Sequence, residues 1–322
     1  MTSFGYTVMG EQAGPKQLVG DAIRAEKVGF DFVAASDHYN PWLAEQGHSP
    51  YTWSVLGAIA HATDRIELMT YVTCPIMRYH PAVVAQKAAT IQLLSDGRFT
   101  LGLGSGENLN EHVVGRGWPP VDLRHEMLAE SLEIIKPLLA GDTVTFRGRH
   151  LDAEGARLWD APSDPPPVAV AVSGPQSCAL AGAHADAMIA VEPNPELGQQ
   201  FDEAGGAGKP RIGQVGICYD ADEAAARKRA HEQFRWFAGG WEVMAELPGP
   251  DHFAAASQSV REEDIAGQVP CGPALDAHVE AVKQFTDAGF THVAVVQIGG
   301  GQQEPFFEWA ESELLPALRR QG

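Results

Sequence analysis

Gly29-Phe30-Asp31-Phe32-Val33-Ala34 and Gly289-Phe290-Thr291-His292-Val293-Ala294 are two versions of one junction, set near opposite ends of a 322-residue chain. Each follows apolar residues at helical spacing: Pro15, Leu18, Ala22 and Ala25 before the first, and Pro273, Leu275, Val279, Val282 and Phe285 before the second. Proline suits a helix's first turn and glycine the left-handed residue beyond its end. Each junction therefore reads as a helix handing over to a strand. Two such units at opposite ends suggest repeats that close on each other.

Working outward, eight β-rich runs are predicted: 4–9, 30–35, 66–73, 99–103, 167–172, 187–191, 212–218 and 292–298. Most are apolar throughout, as expected of strands covered on both faces. Leu128, Leu132, Ile135, Leu138 and Leu139 form a further helix ending at Gly141. Thr143 to Phe146 and His150 to Asp152, around Arg147-Gly148-Arg149, predict an inserted hairpin. The widest gap, 220–291, opens with an Ala-, Arg- and Glu-rich helix and loses its period at Pro248-Gly249-Pro250. That stretch reads as a lid before strand eight. The predicted fold is α/β, a (β/α)8 TIM barrel with insertions, in a single domain spanning residues 1–322. A doubly wound open sheet would not naturally use eight strands in one domain of this length.

Composition narrows the function. With 44% hydrophobic and 20% charged residues, the chain can bury a large core. A formal charge of −19 repels nucleic acid and anionic membranes at long range, so neither is an expected partner. Cys74, Cys178, Cys218 and Cys271 are far apart in sequence, without metal-site or disulfide-framework spacing. The beginning, Met1-Thr2-Ser3-Phe4-Gly5-Tyr6, lacks a basic segment ahead of an apolar one, and no apolar run approaches the roughly 18 residues of a membrane span. A cytoplasmic protein without a bound metal is expected.

Three segments at predicted strand ends carry the chemistry. After the second run, Ser36-Asp37-His38-Tyr39-Asn40-Pro41-Trp42 places a carboxylate, an imidazole and an indole where barrels build active sites. An acid beside His38 favours its protonated form and fixes the ring. On the segment alone, Asp37 could equally cap the next element, and Trp42 could be packing. After the fourth run, the alternating glycines of Gly102-Leu103-Gly104-Ser105-Gly106-Glu107 let backbone approach a ligand and aim Glu107 into the barrel mouth. They match neither GxGxxG nor GxSxG, and a loop with a helix-capping Glu remains open. After the fifth, Ser173-Gly174-Pro175-Gln176-Ser177 starts a helix whose free N–H groups would hold an anion without a basic patch, or would simply be an ordinary cap.

Taken together, Ser36-Asp37-His38, Trp42, Thr73-Cys74-Pro75-Ile76-Met77-Arg78-Tyr79-His80-Pro81 and Gly104-Ser105-Gly106-Glu107-Asn108-Leu109-Asn110-Glu111 resemble the bacterial-luciferase-like superfamily. Within it they look most like the branch of coenzyme F420 (deazaflavin) dependent dehydrogenases related to glucose-6-phosphate dehydrogenase. The resemblance covers nearly the whole chain. It implies a cofactor at the carboxyl ends of the strands and, usually, a homodimer. Carried over by position, it implies that His38 is the active-site acid/base, Glu107 the carboxylate acting with it, and Trp42 the aromatic beside the reacting centre. It likewise implies that Asp37, Cys74, Ser105, Gly106 and Asn110 contact the deazaflavin. Ser173, Gly174, Gln176 and Ser177 match the loop near its phosphodiester tail, and Tyr71-Val72 falls where the family has a bulge with a non-proline cis peptide behind the ring.

The sequence departs from the sugar-phosphate pattern at substrate. Where that branch carries a basic side chain after strand six, the residues here are Glu192-Pro193-Asn194-Pro195-Glu196, and Arg261 is the one Lys or Arg between Glu246 and Gly272. A phosphate dianion needs cationic donors. The expected substrate is an unphosphorylated alcohol, lactol or carbonyl compound, with Trp241, His252 and Phe253 shaping its pocket. The alternatives are an FMN-dependent monooxygenase on the same barrel and a glucose-6-phosphate dehydrogenase with an atypical phosphate site. A metal-dependent barrel hydrolase would want an HxH pair where the chain has Tyr6-Thr7-Val8-Met9-Gly10-Glu11.

Overall fold

The strands, in chain order, are β1 (Ser3–Val8), β2 (Phe32–Ala35), β3 (Glu67–Thr70), β4 (Phe99–Leu103), β5 (Val144–Arg147), β6 (Asp152–Ala156), β7 (Val168–Ala171), β8 (Ala187–Ala190), β9 (Arg211–Ile217) and β10 (His292–Gln297). All but β5 and β6 join one closed parallel barrel in the order β1-β10-β9-β8-β7-β4-β3-β2. This computed structural model describes residues 2–320; Met1, Gln321 and Gly322, at the ends of the predicted domain, lie outside them. The repeated junction closes the ring as its sequence suggests, with Ser3 paired to His292 and Gly5 to both Ala294 and Phe32.

Side-chain alternation explains why the strands are apolar throughout. Phe32, Ala34, Ala169, Ile189 and Ala294 fill the barrel interior. Their neighbours Val33, Ala35, Val168, Val170, Val293 and Val295 point outward into the layer of helices. The helix Pro15–Val28 ends at Gly29 with φ 100°, and Leu275–Asp287 leads to Gly289 with φ 87°, a left-handed conformation that glycine adopts without steric cost.

Several predicted boundaries shift by one to three residues, the second strand beginning at Phe32, and two of the shifts have a visible cause. The third run stops at Thr70 because the cis peptide Tyr71–Val72 interrupts the ladder, which resumes at a Thr73–Leu103 bridge. β5 and β6 form the expected antiparallel hairpin, but its second strand begins at Asp152 instead of His150. His150 N and Leu151 N both donate to Glu130 of the neighbouring helix.

The lid is helical, not the irregular segment that its lost period suggests. It contains Glu223–Phe234, Trp241–Met244, Pro250–Ala256 and Glu262–Ala266. Pro248-Gly249-Pro250 is where a helix begins, with Gly249 as its cap and Pro250 in the first turn. Phe234, Trp236, Met244, Phe253 and Ile265 give the lid an apolar core that continues onto Trp42 and Leu109 at the barrel mouth.

Candidate active site

Strand register sets which side chains stand level at the mouth. Val8 pairs with Ala35, so Glu11 and His38, each three residues further on, emerge side by side. Glu11 Oε1 lies 2.5 Å from His38 Nδ1, too oblique to the ring for a linear hydrogen bond, and Ser36 Oγ donates to the other carboxylate oxygen at 2.9 Å. Glu11 is 1% exposed. Burial alone would lower the His38 pKa, but the Glu11 charge, reinforced by Glu107, reverses this and raises it to about 9. Burial acts upward on Glu11, yet the His38 charge leaves its pKa lowered.

His38 Nε2 faces Glu107 Oε2 at 3.9 Å. That is too long for a hydrogen bond, yet one oxygen atom set to the side of the line joining them reaches both at hydrogen-bond distance. The side chains remain slightly open to solvent, 9% for His38 and 16% for Glu107. Asn110 binds the two loops together: its Oδ1 accepts from Tyr39 N and Asn40 N, and its Nδ2 donates to Glu107 Oε2 at 2.9 Å.

Trp42 forms the adjoining wall. Its ring meets His38 edge-on at 5.0 Å, stacks on Trp236 at 4.2 Å, and is crossed by Phe253 at 5.1 Å. Trp236 therefore supports the wall more directly than Trp241, which lies only partly buried at the edge of the lid core. A crevice bounded by Trp236, Met244, Leu247, Phe253 and Val260 is lined by neither Trp42 nor His38.

Asp37 is committed to the protein. Its carboxylate accepts from Trp53 Nε1, Thr73 Oγ1, Arg78 Nη2 and Tyr79 Oη, at 2.7 to 3.3 Å, and so ties the loops after β2 and β3 together. Arg78 also donates to Asp37 O and, through its backbone N, to Glu111 Oε2. Burial raises Glu111 to about 7 against the pull of Arg78. Cys74 is buried beneath Gly106, whose φ is 80° and whose added Cβ would stand 2.5 Å from the Cys74 sulfur. The Ser105–Gly106 backbone thus lies flush at the mouth. Val72, held by the cis bond, fits against Gly104, while Tyr71 Oη donates to Ala190 O.

The Ser173–Ser177 loop forms a separate part of the rim after β7. Gly174, not Ser173, caps the helix Pro175–His184; Ser177 Oγ folds back to accept from the N–H groups of Ser173 and Gly174. The N–H groups of Gln176 and Ser177 make no hydrogen bond among the described residues. A Cβ on Gly174 would meet nothing within 4 Å, so open space lies before the helix end. Gln176 Oε1 contacts His125 Nδ1 at 3.3 Å. Glu11 and Trp236 are the residues without a functional signal in sequence, and Arg78 stood in the Thr73–Pro81 motif without a role of its own; for Glu11 the one available signal was its distance beyond strand one.

An imidazole and a carboxylate 3.9 Å apart beside an indole wall, at the carboxyl mouth of a parallel barrel, can exchange a proton with a bound oxygen. The luciferase-like monooxygenase family model matches residues 1–292, and the chain belongs to that family. Its relatives include the F420-dependent glucose-6-phosphate dehydrogenase of Amycolatopsis mediterranei (strain U-32), 34% identical over the full length of both chains. The F420-dependent hydroxymycolic acid dehydrogenase of Mycobacterium tuberculosis (strain ATCC 25618 / H37Rv) is 35% identical over 98% of this chain and 88% of its own. Among solved structures, an F420-dependent secondary alcohol dehydrogenase in complex with an F420-acetone adduct superposes with a TM-score of 0.90 at 28% identity, covering 98% of this chain and 99% of that one.

Removing Glu11 gives a direct test of the electrostatics. The His38 imidazole, followed by NMR, is expected to titrate near pH 9 in the native chain. In Glu11→Gln the lost carboxylate no longer favours the imidazolium, so the midpoint should fall by at least about one unit. An unmoved midpoint would assign the raised pKa to another group.

Proposed function

We propose that the protein is a coenzyme F420-dependent oxidoreductase acting between an unphosphorylated alcohol, lactol or carbonyl compound and the deazaflavin, as a homodimer in the cytoplasm. The observation that carries this reading is the pairing of His38 Nε2 and Glu107 Oε2, 3.9 Å apart beside Trp42, which lets one substrate oxygen seated to one side of the pair contact both. Relatives are named F420-dependent dehydrogenases of glucose 6-phosphate and of hydroxymycolic acid, and a similar solved structure is an F420-dependent secondary alcohol dehydrogenase. They share a cofactor and differ in substrate.

The residues present fit a deazaflavin. Ser105 and Gly106 offer a flush backbone, the Tyr71–Val72 bulge supports it from behind, and Gln176 and Ser177 present free N–H groups to an anionic tail. Asp37 and Cys74 shape this surface from below; Asp37 acts through the loops it ties and Cys74 by supporting Gly106. When bound, the deazaflavin accepts or returns a hydride at the substrate carbon. The protein manages the accompanying proton. The Glu11 charge lies against the Nδ1 side of the ring and Nε2 is left for the substrate oxygen, while Asn110 keeps Glu107 on its other side. Below about pH 9 His38 is an imidazolium, suited to protonating a carbonyl oxygen during reduction. Alcohol oxidation needs the neutral ring, so its rate should rise with pH toward that value.

Absorbance titration with F420 and, separately, FMN tests the cofactor. Tight binding of F420 with turnover of an alcohol or carbonyl compound is the expected result, whereas FMN binding with oxygen consumption would move the protein to the monooxygenase reading. Gly174→Val places a branched side chain in the open space before the helix end, and F420 affinity should fall by about tenfold or more. Undiminished affinity would locate the tail elsewhere.

A further inference from the structure

Cys218 and Cys271 are separated in sequence by the whole lid, yet they meet at its base. Cys218 follows β9 and Cys271 follows the last lid helix. Cys218 N donates to Pro270 O at 2.9 Å and Gly272 N donates to Cys218 O at 3.0 Å, so the cysteines face each other as a parallel bridge. Paired positions on neighbouring strands place the two Cα atoms about 4.8 Å apart. Both side chains leave the same face, and a separation of roughly 4.4–6.8 Å is what a disulfide spans.

We propose that Cys218 and Cys271 form a dithiol oxidation site that takes a low-molecular-weight disulfide as its co-reactant, and that the resulting bond fastens the base of the lid. The environments of the two thiols assign their order of reaction. Cys218 is fully buried with its thiol donating to Ala226 O at 3.2 Å; the adjacent Cys271 thiol, together with burial, keeps it protonated. Cys271 is only half-buried, with its thiol on Val269 O at 3.3 Å; the neighbouring Cys218 thiol lowers its pKa against the effect of burial, with Arg227 and Arg229 nearby. Cys271 is the accessible thiolate and Cys218 the resolving thiol. The Cys271 thiolate attacks one sulfur of the disulfide RSSR and releases one thiolate. Cys218 loses its proton to solvent and attacks the Cys271 sulfur, displacing the second. Two protein thiols are oxidised while RSSR is reduced to two RSH. Cys74 and Cys178 are buried, and burial raises both thiols, Cys178 to about 11. Neither has this reactivity.

The site is independent of the cofactor reading and is tested without it. The full chain is incubated with oxidised glutathione at about pH 8, near the ordinary thiol pKa, then alkylated and digested without reductant. The expected product joins the Cys218 and Cys271 peptides, forms at least about tenfold faster than any modification of Cys74 or Cys178, and reverts with dithiothreitol. Cys218→Ala should instead keep a stable glutathione adduct on Cys271, and Cys271→Ser, altered at the more exposed position, should give neither product. A persistent adduct on Cys271 in the native chain, or linkage no faster than modification at the other cysteines, would overturn the proposal.

Discussion

His38→Ala is expected to lower turnover by about 10²- to 10⁴-fold, the usual contribution of a positioned acid or base, while F420 affinity stays nearly unchanged. The split follows from geometry. His38 touches Glu11 and Trp42 and faces Glu107, whereas the surfaces assigned to the cofactor are formed by Ser105, Gly106, the Tyr71–Val72 bulge and the Ser173–Ser177 loop. Removing the imidazole also strands the buried Glu11 carboxylate without its charge partner, so a second variant separates chemistry from damage. In His38→Ala/Glu11→Gln the stranded charge is gone. If that double variant remains as slow as the single one, the loss belongs to proton transfer. Steady-state rates with a verified alcohol and F420, alongside cofactor titration, make the measurement. Full retained turnover would remove His38 from the reaction.

The barrel was legible because both faces of each strand are covered. Val33 and Ala35 outside, and Phe32 and Ala34 inside, are apolar for different reasons, yet together they write one uninterrupted run. The repeated Gly-Phe junction was legible because helix termination and strand entry use local rules, glycine at positive φ followed by β-formers. The lid's place was legible too, but its later short helices were not, since they take their stability from an apolar core shared with Trp42 and Leu109. Their periodicity is correspondingly brief. Trp236 looks like any lid aromatic until it stacks on Trp42, and Cys218 and Cys271 look isolated until two distant segments pair.

The same distinction applies within the site. His38, Trp42 and Glu107 stand in compact local patterns, but Glu11 lies in Gly10-Glu11-Gln12, with no pattern of its own. Its role becomes visible only when β1 and β2 align at Val8 and Ala35. A carboxylate and a histidine at equal distances beyond adjacent parallel strands are neighbours by register, a relation that could be sought in other barrels once strand ends are known.

Substrate charge provides the second large effect: kcat/KM for glucose 6-phosphate should be at least about 100-fold below that for the best unphosphorylated alcohol, a difference of about 3 kcal/mol. Beyond β8, Glu192 and Glu196 are both exposed, and Asn194 Oδ1 is occupied in capping, accepting from Glu196 N at 2.9 Å. A phosphate dianion placed there would lose water among like charges. The arginines of the mouth loops and the lid offer little relief. Arg78 is held by Asp37 and Glu111, Arg124 by Glu246, Arg229 by Asp220, and Arg235 by Glu45. Arg261, the one candidate in the outer lid, turns back onto Asp264 at 2.9 Å. Only the exposed Arg116, in the loop leading from the Glu107 segment, makes no ion pair among these groups. Assays with F420 at low and moderate salt decide the matter, since a charge-steered substrate loses rate as salt rises and an uncharged one does not. A glucose 6-phosphate constant near the common enzyme range of about 10⁴ M⁻¹s⁻¹ or above, falling with salt and lost in Arg116→Ala, would instead make Arg116 the missing phosphate ligand.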